Sequence, residues 1–411
     1  MIVVDADMIG ASHDHQKESM KKLYLNPLYL FGYAFLAAMG LYGLGLSGLY
    51  VNGDSTLTIT LLILSLLSLV LGFIFNSIFG RRMRADIKDE HFKKILTPNY
   101  IFMLLGFAID CAASGTVPLI SILRGDVYAY KDFGLKTFHV FYMAYMSAFA
   151  IVSFERYLST RLKKFLLPAI TGVAITVLIV SRGSTMLLII PMALLYLSQK
   201  NVSKKRSGIK KNVIIITAAL VFIIGFGYVG DKRMIASGYK SETAIMEIGQ
   251  ANDIFYDIPS GFFWVYLYAS SPYANLASQD RFNNVNKGDA GDFFSSSILP
   301  DFISKYTAPY VFSKFQPKRV TEELTVGTGF SFALVSFGIA GVVLLYLWMV
   351  FLSFILAWAN RNMYINSICA VLSSTAILMI FDNMFIFGSC VLQMLMLTIF
   401  TRVKLGRYYF M

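Results

Sequence analysis

Charge is scarce in this chain of 411 residues. Asp, Glu, Lys and Arg together supply 15% of it, where a soluble domain carries about a quarter. With 56% hydrophobic residues and a mean hydropathy of +0.62, that shortage excludes a disordered chain and an ordinary cytosolic enzyme. Cysteine is almost missing. Cys111, Cys369 and Cys390 are an odd number, each in or beside an apolar run, which excludes a complete disulfide framework and a cysteine metal cluster. There is no phosphate-binding loop of P-loop type, no HExxH and no GxSxG elbow. No repeat period is visible, and residues 1–26, polar and mixed in charge, are not expected to form a cleavable signal peptide.

What the chain has instead is long apolar runs. A helix crossing the hydrocarbon core needs about 20 mostly apolar residues. Ten segments qualify, at roughly 27–50, 56–79, 99–116, 137–155, 165–181, 184–198, 212–230, 327–358, 363–381 and 384–401. An all-α polytopic membrane protein follows, because lipid offers an unpaired backbone no partner. The whole chain, 1–411, reads as one transmembrane domain. With both termini in the cytoplasm, 23 of the 36 Lys and Arg fall inside, and 16 of the 24 acidic residues fall outside. Basic inside loops set that orientation. They also account for the net charge of +12 without a nucleic-acid partner.

Two outside segments exceed mere turns: 113–136 and 231–326. The second carries Gly261-Phe262-Phe263-Trp264-Val265-Tyr266-Leu267-Tyr268 and Ser271-Pro272-Tyr273-Ala274-Asn275-Leu276. That aromatic density predicts helices lying at the membrane interface. Trp264, Tyr266, Tyr268 and Tyr273 are candidates for stacking on sugar rings, with interface anchoring as the alternative.

Ser181-Arg182-Gly183-Ser184 interrupts the apolar stretch from Phe165 to Ser198. Its 34 residues give about 51 Å of helix against the roughly 60 Å that two crossings need. The polar tip should therefore sit below the outer surface. Arg182 beside a helix N-terminus, with free amides at Gly183 and Ser184, would attract phosphate. The alternative is a snorkelling arginine at an ordinary turn. In 113–136, Pro118 and the glycines break any continuous helix. A partly re-entrant loop carrying Arg124, Asp126 and Asp132 is one reading, and a solvated loop the other. His139 is the only histidine on the outer side, and its ordinary pKa near 6.5 suits proton transfer. A structural role is the alternative. Asp110 and Asp382 are carboxylates in or beside apolar runs. Such groups usually have a partner or a task, and a salt bridge to Arg182 or Arg124 would be the plain explanation for either. No Asp-x-Asp pair lies on the outer side, so no metal site is expected, and the short inside loops argue against ATP use.

Several stretches taken in order resemble the O-antigen polymerase (Wzy) family, the oligosaccharide repeat-unit polymerases of bacteria. They are Ser114-Gly115-Thr116-Val117-Pro118-Leu119-Ile120, then Tyr130-Lys131-Asp132-Phe133-Gly134 with His139. Next come the Ser181-Arg182-Gly183-Ser184 hairpin and Tyr266 to Leu276 in a long outer loop. The last is Gly327-Thr328-Gly329-Phe330 leading to Ser336-Phe337-Gly338-Ile339-Ala340-Gly341. Together they cover most of 110–345. The resemblance implies a metal-independent, cofactor-free glycosyltransferase in the bacterial inner membrane, of GT-C-type architecture, with its active face periplasmic. Its substrates would be undecaprenyl-diphosphate-linked oligosaccharides. It would move a growing glycan onto the non-reducing sugar of an incoming lipid-linked repeat unit. A polysaccharide chain-length regulator is an expected partner. Carried over by position, Arg182 would hold the donor diphosphate, with Gly183 and Ser184 beside it. Arg124 and one of Arg233, Arg281 or Arg319 would neutralise the rest. His139 or Asp132 would be the base.

The chemistry agrees. A glycosyl diphosphate is already activated, so the enzyme has to stabilise the leaving diphosphate and position and deprotonate a hydroxyl. Competing readings are a flippase for the same lipid-linked sugars, for which internal repeats and midplane charges are lacking, and an O-antigen ligase, whose usual outer-loop histidine is absent from 231–326. If Arg182 grips a diphosphate, Arg182→Lys should impair activity strongly, because the bidentate fork is lost while the charge stays. Polymer formation at equal protein level checks this, and wild-type activity would remove the phosphate role.

Overall fold

The protein is described by a computed structural model over residues 23–50, 53, 55–84, 89–124, 133–199, 209–236, 238–241, 243–360, 364–400, 404–405 and 408–409. Asp126 and Asp132 fall outside the described residues, as does the side chain of Arg182. The described chain is helical apart from loops, one Ser47–Ala251 bridge and a two-residue antiparallel pair, Lys404–Leu405 with Tyr408–Tyr409. The principal helices are α1 (Pro27–Gly43), α2 (Ser55–Phe79), α3 (Asp89–Ser114), α4 (Pro118–Leu123), α5 (Lys136–Thr160) and α6 (Leu166–Leu178). They continue as α7 (Arg182–Gln199), α8 (Ile209–Ala236), α9 (Gly261–Ala277), α10 (Ser331–Ala359), α11 (Ile365–Leu378) and α12 (Gly388–Phe400). Each of the ten apolar segments contains one of these. Four helices, Ser55–Phe79, Leu96–Ser114 within α3, Lys136–Thr160 and Ser331–Ala359, are long and apolar enough to cross a membrane.

The two faces of α2 identify its solvent. Leu57, Leu61, Leu64, Ser68 and Phe75 are buried at helical spacing, while Ile59, Ile63, Val70 and Phe73 on other faces are exposed. An exposed face as apolar as the buried one suits lipid and not water. This is an all-helical membrane protein. Its core is built on α5 and α11. In α11 every residue from Ile365 to Ala376 is buried, with α1 and α7 packed against it. The buried Glu155 of α5 accepts hydrogen bonds from Asn366 Nδ2 (2.8 Å) and Ser367 Oγ (2.5 Å) at the start of α11. Satisfied in this way, a polar group can sit in the core.

The α6–α7 hairpin is short, as its length requires: α6 has 13 residues, about 20 Å of helix. Val180 at its tip takes φ +59°, an unfavourable conformation for a β-branched residue.

The aromatic stretch of α9 packs mostly against the rest of the protein. Its residues from Ser270 to Ala277 are all buried, as are Phe263, Trp264, Tyr266 and Leu267. It packs against α8 and α1 inside the protein. Glycines permit this: a Cβ on Gly261 would strike the Ile223 carbonyl of α8, and one on Gly227 would meet the Gly261 backbone. Small residues let helix backbones approach closely in membranes.

Near its N-terminal end, α10 breaks. Phe337 (φ −135°, ψ 18°) and Gly338 (φ 62°, ψ −153°) leave helical geometry. The amides of Asn286, Lys287 and Gly288 donate to the carbonyls of Leu334, Val335 and Ser336 at 3.2, 2.7 and 2.9 Å. The kink is thus capped by the backbone of a distant loop. Beyond it, Ile339–Ala359 still gives roughly 30 Å of helix, enough for one crossing. Gly338 occupies a region open essentially only to glycine. Gly338→Ala should destabilise the protein by about 1–3 kcal/mol, seen as a lower thermal unfolding midpoint in detergent.

Candidate functional site

The site grows from the C-terminal end of α9, where two buried amide side chains hold an irregular strand of chain. Asn275 Nδ2 donates to the carbonyls of Leu324 (2.7 Å) and Val326 (2.8 Å), and its Oδ1 accepts from the amide of Val320 (2.8 Å). One turn later, Gln279 Nε2 donates to the Lys318 carbonyl (2.6 Å), and its Oε1 accepts from the Lys318 amide (3.0 Å) and from Asn284 Nδ2 (2.8 Å). A strap from about 316 to 327 is therefore paired by side chains where a sheet would use backbone. Tyr239 adds a tie by donating to Glu323 Oε1 at 2.5 Å. That bond holds the Glu323 carboxyl below its ordinary pKa and pushes the Tyr239 hydroxyl up.

The strap separates two cavities. The larger, about 490 Å³, is walled by Arg233, Tyr239, Trp264, Tyr268 and Glu323, among others. The smaller, about 320 Å³, is walled by Asn275, Lys318, Arg319, Thr328, Ser331 and Asp382, among others. Both use Thr325, Val326 and Phe381, so the two adjoin across the strap as one grooved region, with Arg233 in the wall of one and Lys318 and Arg319 in the wall of the other. Their sizes lie in the range of small-molecule sites, about 300–1,000 Å³.

The structure sorts the sequence candidates. Arg233, Trp264, Tyr268 and Arg319 line the groove. Trp264 is fixed by its Nε1–H donating to Asp231 Oδ1 at 2.8 Å, while Tyr268 is 39% exposed. Tyr266 and Tyr273 line neither cavity. The Tyr266 hydroxyl accepts from the Leu46 amide (3.1 Å), and Tyr273, 1% exposed, donates to Thr58 (2.9 Å). Both are packing residues here, which corrects the expectation that they face sugar. Arg281 is exposed with its guanidinium 5.5 Å from the Phe282 ring centroid, and Arg124 is exposed at the C-cap of α4. Neither lines a cavity. Arg182 is the first residue of α7. The expectation of a free Ser184 amide is corrected too: it donates to Ser181 Oγ at 3.4 Å, and Ser181 Oγ donates to Ser184 Oγ at 2.8 Å. The tip caps part of its own helix end. Gly183 is exposed.

Among the described residues, Asp110 pairs with His139 and not with Arg124. Fully buried, it takes Nδ1 of His139 on Oδ2 at 2.7 Å and the Leu135 amide on Oδ1 at 3.1 Å. His139 keeps 21% of its side chain exposed, and the buried Phe133 ring stands edge-on to it at 5.6 Å. The pairing depends on Gly134, at φ +85°. A Cβ there would lie 2.7 Å from His139 Nδ1 and 2.8 Å from Asp110 Oδ1. With Asp110 accepting, Nδ1 carries the proton and Nε2 is the basic nitrogen. His139 lines neither cavity.

Sequence reasoning missed the Asn275 and Gln279 clamp and the Asp110–His139 pair. The spacing of Asn275 and Gln279, one helical turn, was the only local signal. Nothing in the sequence ties Asp110 to a residue 29 positions on across a loop. Among the described residues no three His, Cys, Asp or Glu side chains stand close enough to share a metal ion. Comparison with family models, with curated proteins and with solved structures found no match.

Removing the clamp should free the strap. Asn275→Ala removes the side-chain partner of three part-buried backbone groups, at a cost of up to about 1–3 kcal/mol each. Amide hydrogen exchange across 318–326 should accelerate sharply while α5 and α11 stay protected.

Proposed function

We propose that this protein is a glycosyltransferase of lipid-linked oligosaccharides, a repeat-unit polymerase acting at the periplasmic face of the bacterial inner membrane. In this reading all ten apolar helices cross the bilayer with both termini cytoplasmic, in a GT-C-type arrangement, and the groove opens on the outer side. The substrates are undecaprenyl-diphosphate-linked oligosaccharides, and a chain-length regulator is a partner.

One observation carries the reading. Arg233, Trp264 and Tyr268 share the wall of one cavity, and Lys318 and Arg319 line the adjoining one across Thr325 and Val326. Aromatic faces beside a cation suit a sugar joined to a phosphate. Cations at the leaving diphosphate stabilise the charge that develops as the glycosidic bond breaks. Helix α9 supplies the aromatic side chains and, through Asn275, the position of the strap, so one rigid element sets both. Arg182 stays in the reading as a further diphosphate contact, on the strength of the family resemblance alone.

The test uses purified protein in nanodiscs with undecaprenyl-diphosphate-linked repeat unit from the source strain, EDTA and no nucleotide. A ladder of polymer on a gel is the expected result. Arg233→Ala should reduce its rate about a hundredfold, the scale of a lost charged contact in a transition state. No ladder, with substrate nonetheless crossing a liposome bilayer, would replace the polymerase with a flippase.

A further inference from the structure

The smaller cavity holds a carboxylate whose setting goes beyond binding. Asp382 sits in the turn between α11 and α12. Its Oδ1 accepts from the Asn383 amide at 2.7 Å, and its Oδ2 has no partner among the described residues. The turn is held from several sides. Asn383 Nδ2 donates to the Ser297 carbonyl (2.9 Å), the Gly329 amide to the Met379 carbonyl (2.7 Å), and the Asp301 amide to the Ile386 carbonyl (2.8 Å). The Asp382 side chain is exposed and lines the 320 Å³ space shared with Lys318 and Arg319. Desolvation by the surrounding protein raises its pKa, with the nearby Asp301 adding to the rise. Such a carboxylate is rigid, open to a ligand and more basic than one in water, the properties a general base needs. His139 lines neither cavity, so its Nε2 has no comparable access to a ligand in the groove.

We infer that Asp382 is the catalytic base of this groove, taking the proton from the acceptor sugar hydroxyl. The assignment rests on the polymerase reading above. As the acceptor oxygen bonds to the anomeric carbon of the donor, the bond from that carbon to the diphosphate oxygen breaks. The electron pair leaves with the lipid diphosphate, and the hydroxyl proton passes to Asp382 Oδ2. Lys318 and Arg319 stand in the same cavity to meet the charge on the diphosphate.

The test adds three variants to the nanodisc polymerisation assay. Asp382→Asn keeps the shape and the Asn383 contact but cannot accept the proton at Oδ2, and it should be about a hundredfold or more slower. Asp382→Glu should recover part of that loss. The charged and titratable groups around Asp382 are Asp301, Cys390 of α12, Lys318 and Arg319. Asp301 raises the Asp382 pKa, so Asp301→Asn should lower it. The carboxylate then stays ionised to lower pH, and the acid limb of the rate profile should move down. A ladder from the wild-type chain with Asp382→Asn within about threefold of it would overturn the assignment and leave the polymerase reading intact. So would an acid limb that Asp301→Asn does not move. No ladder from the wild-type chain would overturn both. If Asp382→Asn does not fold, the Asp382→Glu rate and the Asp301→Asn profile decide the matter by the same criteria.

Discussion

A backbone that leaves helical geometry beside lipid must find its hydrogen bonds inside the protein. The region around the two cavities is organised by that requirement. Where α10 breaks at Gly338, the amides of residues 286–288 cover the carbonyls of Leu334, Val335 and Ser336. Where the chain runs from 316 to 327 with no regular structure, the Asn275 and Gln279 side chains stand in for a neighbouring strand. Where α11 stops, the turn to α12 is tied to Gly329, Asp301 and Ser297. Each departure from helix creates polar backbone, and each is closed by a different part of the chain. The closures converge on one region, and the groove lies between them.

That economy of partners gives the groove its rigidity. Asn275 is both a wall of the smaller cavity and the hook that holds the strap between the two cavities. Trp264 lines the larger cavity and is locked by Asp231, whose helix approaches α9 through glycines. Side chains fixed by packing and hydrogen bonds keep their geometry when a ligand arrives, which is what a site needs to favour one transition state. The Asp110–His139 pair is fixed in the same manner by Gly134 and Phe133, but it sits outside the groove's walls.

The helices were legible because their signal is local. Each apolar run of adequate length became a helix, since a run of apolar residues has no other way to satisfy its backbone in lipid. The short α6–α7 hairpin was legible by arithmetic on chain length. Of the candidates from the sequence, Arg233, Arg319, Trp264 and Tyr268 line a cavity. Tyr266 and Tyr273 do not. On one helix, consecutive aromatic residues point to different sides, and only packing decides which side meets the groove and which meets α1 and the loop after it.

Hydropathy by itself determined that this chain is helical and belongs in a membrane. Only tertiary structure decided which polar residues meet. Asp110 lies with His139, where a glycine at positive φ, Gly134, leaves room for the two side chains to meet. Asp382, one acidic residue in a turn, gains a cavity because the 316–327 strap passes over it. Asn275 and Gln279, unremarkable in composition, become the fixings of the groove because their partners are backbone groups some 40 to 50 residues away. Hydropathy is read over a window of neighbours; contacts of that range depend on how every helix between them packs.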